Sequence, residues 1–527
     1  MEYRNLSYSE IETLEQQGCR STSWDQVMVP EDFDTNSLRN VCFDGDVRIG
    51  RGVRINNVGI IRTTDGATFG EDNLISVKNE TGNGNVVIYS GLSSQTAAMM
   101  VRAAEKEDHE LFDKLRHMAT LYAREVMPAC TTIGDNATIM DCRELTNVVI
   151  GDECELCGAS RLIDCTLSST PDAAIYIGDD VIMENVVAQA GSTIVDGAKL
   201  YDSFVGEACH IGRGFTSEGS LFFANSHMDN GESCAALCGP FSVSHHKSSL
   251  IIGGEHSFYN AGSGTNFSNH AYKMGPIHYG TMERGSKTAS GAHILWPAHI
   301  GAFSMVMGKV QTHPDTSLFP FSYVIAEGRK TMLVPGRNLT TVGTYRDVMK
   351  WPKRDKRPAE GRKSLINYDW LSPYVIERIK AGMNCLLEMQ SEQGYDAEEY
   401  TGKGFTITAS ALQHGLEYYK LALRMYGNAS STDDWTDLLG LLTPTEAVEQ
   451  IREDILNDDI NDIATLENRF KNIFDGYNQW KGCSDNDSDT EQAYEKWLDA
   501  IRHDAEREYE MGDVSEQQIT EFLDSIS

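Results

Sequence analysis

Eight of the 14 histidines fall within residues 239–313 of this 527-residue chain. They sit in GPFSVSHHKSSLIIGGEHSFYNAGSGTNFSNHAYKMGPIHYG and, after TMERGSKTASG, in AHILWPAHIGAFSMVMGKVQTH. Imidazole exchanges protons near neutral pH and ligates metals, while the Gly, Ser and Asn around it are too small to fill a core. The stretch is therefore the candidate functional site. His245, His246 and His270 are the candidates for a general base that takes a proton from an acceptor hydroxyl or amine. Lys247 stands beside the pair and could orient a phosphate or carboxylate. Ser263 and Gly264, in AGSGTNF, offer backbone N–H groups that could cradle an anion or oxyanion, and Asn266 and Asn269 suit a polar acceptor such as a sugar. Just upstream, FFANSHMDNG places His227 and Asp229 where a base and its orienting carboxylate could stand. Arg284 and Lys287, in MERGSK, could bring charge to a phosphorylated ligand.

The elements that must position these residues announce themselves by period. Phe43, Ile49, Ile55 and Ile61 are six apart, as are Ile133, Ile139 and Leu145. One residue short of the next step come Ile150, Leu156 and Leu162, and the last clear run is Ile294, Ile300 and Val306. Such a step fits neither a 3.6-residue helix nor a two-sided strand, and a repeat of this kind buries its apolar face only against its neighbours. A hexad per flat side and three sides per turn predict a coil of about 18 residues, with the aliphatic inside and a small residue turning the corner.

The hexads IGDNAT, IGDECE, IGDDVI, VGEACH and IGRGFT resemble the hexapeptide repeats of left-handed parallel β-helix proteins, over residues 41–90 and 129–345. The N-terminal part also resembles an uncharacterised bacterial hexapeptide-repeat family to which no reaction is attached. The fold this implies is mainly β, a left-handed parallel β-helix. An amphipathic stretch over 93–128 reads as one long inserted α-helix, with Leu111, Leu115, Met118 and Tyr122 on one face. Residues 1–40 read as a helix and connector, 41–92 as the first coils, and 129–345 as the main β-helix with the histidine-rich site. Residues 346–365, with eight Lys and Arg against three acids over 346–363, read as a basic linker, and 366–527 as an acidic all-α domain.

The superfamily includes acyltransferases that use coenzyme A thioesters, sugar-1-phosphate nucleotidyltransferases and γ-class carbonic anhydrases. Its acyltransferases carry a histidine base on or beside a coil, at sites between the subunits of a trimer. The resemblance thus implies acyl transfer from acyl-CoA, as co-substrate, to a hydroxyl or amine of a sugar or sugar-nucleotide-like acceptor, with no tightly bound cofactor and a homotrimer. Too few residues precede the first hexads for the α/β domain that a nucleotidyltransferase needs. A second implication is a metal-dependent hydratase or hydrolase similar to the γ-class carbonic anhydrases, with zinc on His256, His293 and His299. Since the last two lie six apart, on different faces of a coil, that site would have to form across a subunit interface. A third reading is a β-helix scaffold whose helical tail docks a partner.

Composition removes other classes. A formal net charge of −33 argues against nucleic acid or an anionic membrane as partner. From residue 431 onward there are 26 Asp and Glu against 7 Lys and Arg, so the tail carries much of that charge. The opening MEYRNLSYSEIETLEQQG has no apolar core of a leader, and no stretch is apolar for about 18 residues, which predicts a cytoplasmic protein. The 12 cysteines show no disulfide spacing, and the lone Cys154–Cys157 CxxC pair lacks a second pair to complete a zinc knuckle.

Overall fold

The computed structural model describes residues 2–79, 82, 84–268, 279–427, 434–481, 488–512 and 514–526. The chain divides into two compact units. Met1–Gly254, Lys356–Leu365 and Ile451–Phe470 make one; Glu255–Asp355, Ile366–Gln450 and Lys471–Ser527 make the other.

In the first unit, short strands pair in parallel with the strands one turn later, which makes a parallel β-helix. Glu144–Ile150 lies beside Arg161–Ser168, Ile182–Gln189 beside Lys199–Val205, and His210–Gly212 beside His227–Asp229. Most turns advance by 17 residues, as in Glu144↔Arg161 and His210↔His227, rather than the expected 18. One side of each such turn has five residues instead of six, which is the short step between Leu145 and Ile150. Ile133, Ile139, Leu145, Ile150, Leu156 and Leu162 all point inward and are buried. Strand pairing also begins before residue 41, because Arg20–Ser21 lies parallel to Leu38–Asp44.

The glycine after the inward aliphatic serves a purpose other than turning the corner. A Cβ on Gly134 would lie 2.5 Å from the Asp152 carboxylate and 2.7 Å from the Gly151 carbonyl carbon of the next turn. That close approach lets the Asp135 N–H donate to Asp152 Oδ1 (2.7 Å), as the Arg51 N–H does to Asp135 Oδ1 (2.8 Å). The corners themselves are left-handed at Asn40, Asn57 and Asp141 (φ 47°, 57° and 56°), residue types that tolerate this conformation. Their side chains form a ladder, Asn40 donating to Asn57 (2.8 Å) and Asn57 to Asp141 (2.6 Å).

The insertion predicted as one long helix is two, Ser94–Glu105 and His109–Val126. The break has a local cause: Glu107 is left-handed (φ 56°), and the Asp108 side chain accepts from the Leu111 N–H to start the second helix. Residues Ser94 to Val101 are all buried, polar ones included, so the first helix shows no apolar stripe. Residues 356–365 are anchored rather than a free linker. Arg357 pairs with buried Glu207 (3.3 Å), and the N–H groups of Lys363 and Ser364 donate to the same carboxylate.

The second unit carries further parallel turns, Thr281–Met282 beside His299–Ile300 and Lys287–Thr288 beside Met305–Met307. Tyr323–Glu327 then folds back antiparallel onto Lys330–Val334. Beyond it the chain is mostly helical, with Pro373–Gln393, Ala409–Tyr426 and Ser488–Glu510 as its longer helices in this unit. Short strands Glu399–Thr401 and Thr406–Thr408 extend the sheet, and a hairpin joins Trp435–Leu438 to Leu441–Pro444. The helices belong to the same core: Tyr419 donates to the Pro320 carbonyl (2.9 Å) and Trp497 to the Leu339 carbonyl (2.8 Å). Among the described residues no helix is long and apolar enough to cross a membrane.

Candidate functional site

The side chains with chemical potential in the first unit come from successive turns of one β-helix face. His210–Gly212 pairs in register with His227–Asp229, His210 opposite His227 and Gly212 opposite Asp229. Ile211 and Met228, between them, point into the core. Strand alternation therefore puts His210, His227 and Asp229 on the outer face. His227–Asp229 in turn lies beside Val243–Ser244, and an exposed turn carrying His245, His246 and Lys247 follows at once. The ring centroids of His210 and His227 are 4.5 Å apart, those of His227 and His245 6.1 Å, and those of His245 and His246 4.3 Å. A ladder of imidazoles thus runs up the face. The Asn230 amide holds its upper end by donating to the His245 carbonyl (3.3 Å).

Asp229 is the hub. Its side chain is only 3% exposed despite the outward position. His227 Nε2 donates to its Oδ2 (3.0 Å), His210 Nε2 stands 3.3 Å from Oδ1, and Arg213 Nε is 3.5 Å from Oδ2. Oδ1 itself is buried without a hydrogen-bond partner among the described residues. Burial and the neighbouring His227 push the His210 imidazole below its ordinary pKa, against the pull of Asp229. Burial, then His246 and His227, do the same at His245. Both rings are thereby favoured in the neutral form, able to accept a proton or a metal.

The structure brings His245, His246, Lys247, His227 and Asp229 into one neighbourhood. It adds His210 and Arg213, which sequence reasoning passed over. The missed signal is spacing: His210 ends the VGEACH hexad one 17-residue turn before His227. Asn269 and His270 lie outside the described residues.

The remaining candidates lie in the second unit, and most are structural there. Arg284 is buried, donates to the Asn367 carbonyl (2.7 Å), pairs with Asp437 (3.4 Å) and stacks over Phe258. Lys287 pairs with Asp347 and donates to the Gly343 carbonyl (3.2 Å). Neither is a ligand charge on an open loop, as expected from the sequence, because each has an acid from far along the chain folded onto it. Ser263 and Gly264 form a coil corner: the Gly291 N–H donates to the Ser263 carbonyl (2.7 Å), the Thr265 N–H to the Gly262 carbonyl (3.1 Å) and the Gly262 N–H to Thr288 Oγ1 (3.1 Å). Asn266 sits on the strand beside His293.

His256, His293 and His299 are not brought together within the chain. His256 is fully buried among Tyr259, Phe267 and Trp296. His293 and His299 lie on the outer positions of separate strands, and His299 Nε2 pairs with Glu283 (2.8 Å). Among the described residues, the metal-competent group whose donor atoms lie within 4.8 Å of one another is His210, His227 and Asp229. Cys154 is buried and Cys157 only partly exposed, both thiols unbridged.

Two family models match the chain. One, described as "Domain of unknown function (DUF4954)", matches residues 3–53 and 47–390; the other, "Domain of unknown function (DUF6819)", matches residues 421–510. No curated protein matches. Among solved structures, the chain is similar to an Arabidopsis UDP-N-acetylglucosamine acyltransferase at 14% identity, over 50% of this chain and 86% of that one, with a TM-score of 0.18. A candidate acetyltransferase from Desulfovibrio desulfuricans G20 aligns at 11% identity, over 62% of this chain and 83% of that one, with a TM-score of 0.12. At such TM-scores the parallel β-helix rests on the strand register alone.

Proposed function

We propose that the chain, which belongs to the family described as domain of unknown function DUF4954, transfers an acyl group from a coenzyme A thioester to a hydroxyl or amine of a sugar-like acceptor. The observation that carries this reading is the exposed His245–His246 pair standing over the His227–Asp229 pair on one β-helix face. His245 takes the acceptor proton as the acceptor oxygen or nitrogen attacks the thioester carbonyl. The new bond forms, the carbonyl electrons move to oxygen, and the tetrahedral oxyanion collapses with cleavage of the C–S bond. The thiolate leaves with the proton returned from His245. Lys247, exposed on the same turn, supplies positive charge for the oxyanion or for a phosphate of the donor. The hexapeptide resemblance supports coenzyme A as carrier of the acyl group and a trimer as the working assembly.

Binding of acetyl-CoA and of longer acyl-CoA, by calorimetry and by thermal melting, tests the reading. A ligand at a hundredfold excess over its Kd stabilises the folded state by about 2.7 kcal/mol, which is a readable rise in Tm. His245→Ala is expected to keep donor binding and to lower release of free thiol by about 10²-fold or more. Absence of both calorimetric and thermal response to every acyl-CoA would remove the donor and with it the proposal.

A further inference from the structure

We infer that His210, His227 and Asp229 form a binding site for one divalent transition-metal ion of the zinc class. The donor set comes from two strands in direct register, so the backbone ladder fixes all three positions. Both rings aim Nε2 at the same carboxylate, at 3.0 Å from Oδ2 for His227 and 3.3 Å from Oδ1 for His210. Zinc bonds to nitrogen and oxygen of about 2.0–2.2 Å put donor atoms some 3–4 Å apart around one ion; both nitrogen–oxygen distances here fall in that range, and all three donors lie within 4.8 Å of one another.

Two further observations point to a ligand. A buried carboxylate oxygen without a hydrogen bond is costly, and Asp229 Oδ1 is such an atom until a cation reaches it. Opposite it stands Gly212, where a Cβ would lie 3.0 Å from Asp229 Oδ1 and 3.2 Å from His210 Nε2. The glycine keeps open the space that these donors face. Arg213 Nε, 3.5 Å from Oδ2, partly neutralises the acid, but its side chain is 67% exposed and departs at little cost. His210 and His227 are themselves 34% and 44% exposed, which leaves the outer side of the ion to water or a substrate oxygen. An ion there would polarise an oxygen beside His245, the proposed base. The inference nonetheless stands on the donor set and does not require acyl transfer to be the reaction.

The test uses full-length protein without a histidine tag, stripped by chelator and titrated with Co²⁺ and then Zn²⁺. One equivalent of Co²⁺ should bind with the visible bands of a nitrogen- and oxygen-ligated ion, and Zn²⁺ should displace it. His210→Gln and Asp229→Asn should each weaken binding by about a hundredfold or more, at or beyond the upper end of what removing an outer-shell partner costs. In the unmutated protein, Zn²⁺ should protect His210 and His227 from acylation by diethyl pyrocarbonate, read by mass spectrometry, while exposed His503 stays reactive; this arm does not depend on the variants folding. Lack of a stoichiometric Co²⁺ complex, unchanged affinity in folded variants, or unprotected His210 and His227 would overturn the site. Acyl-CoA binding is scored separately, so either proposal can fail alone.

Discussion

Glu467 shows how a single buried acid ties stability to pH. Its carboxylate accepts from the hydroxyls of Ser93 and Thr96 (2.7 Å each), yet burial outweighs them and pushes its pKa from 4.5 up to about 7. The folded state therefore holds this proton to a higher pH than the unfolded chain. Its stability contribution is complete below about pH 4.5 and is lost as pH rises through about 7, a difference of about 3 kcal/mol. Glu467→Gln, neutral at every pH, should match the parent at pH 4 and exceed its unfolding free energy at pH 8; equal pH slopes in denaturant unfolding would refute this. Arg284 makes a second case. Removing one partner of a buried ion pair costs about 3–5 kcal/mol, so Arg284→Ala should fall in that range while the folded fraction keeps the parent's affinity for acyl-CoA. A selective loss of affinity would return Arg284 to the binding site. Sequence could not make this distinction. A cation in MERGSK looks the same whether it faces solvent or an acid such as Asp437, and nothing local to Arg284 names that partner. His245, His246, His227 and Asp229 were readable as chemistry-bearing types, whereas His210 joined them only through the 17-residue register.

At the scale of the coil, the period made the fold readable because the physics is one-dimensional. Each turn buries its aliphatics only against the turns before and after it, so the spacing must recur. The turn length was misread by one residue, since a five-residue side leaves the inward positions intact and shows only as a short step. The role of the glycines was hidden for a different reason: close approach between turns is a tertiary fact. At Gly134, an ordinary φ is combined with a Cβ position 2.5 Å from Asp152 Oδ1, so an added methyl meets the very group that accepts the Asp135 N–H. Gly134→Ala should destabilise the first unit by about 1–3 kcal/mol, the usual cost of overpacking a site that cannot yield. Asp152→Ala in the same background should recover part of that loss by removing the obstructing carboxylate. A Gly134→Ala chain as stable as the parent would mean that the turns part readily, against the ladder argument. The helical insertion was legible as helix over 93–128, but its break at Glu107 was not, and its first half offered no stripe. A helix buried from Ser94 to Val101 has no solvent face to write a period into the sequence.

For the molecule as a whole, the acidic tail read from sequence as a separable helical domain, and the two compact units give that idea a physical test. Ile451–Phe470 belongs to the first unit, and Ile366–Gln450 with Lys471–Ser527 to the second. In the first, Glu467 takes up the hydroxyls of Ser93 and Thr96. In the second, Trp497 donates to the Leu339 carbonyl, and Trp370 stacks against Trp497 and meets Phe321 edge to face. A chain ending at residue 365 would uncover the buried polar start of the Ser94–Glu105 helix and aromatic surface around Phe321 together. Water can take over the hydroxyls of Ser93 and Thr96, but the apolar surface uncovered with them has no local remedy, because exposed apolar patches associate. The truncated chain should therefore be insoluble or bind hydrophobic dye with a broad, non-cooperative melt, and the trimer proposed for the full chain should run in mass photometry at three times 58.4 kDa. A full chain that runs as a monomer at working concentration would remove the trimer and confine the chemistry to groups of one subunit. A soluble, cooperatively melting fragment would show that the tail is separable from the fold, as a docking domain requires. The deletion experiment thus reports on a partner only if the fragment folds, and the histidine face must otherwise be tested in the intact chain.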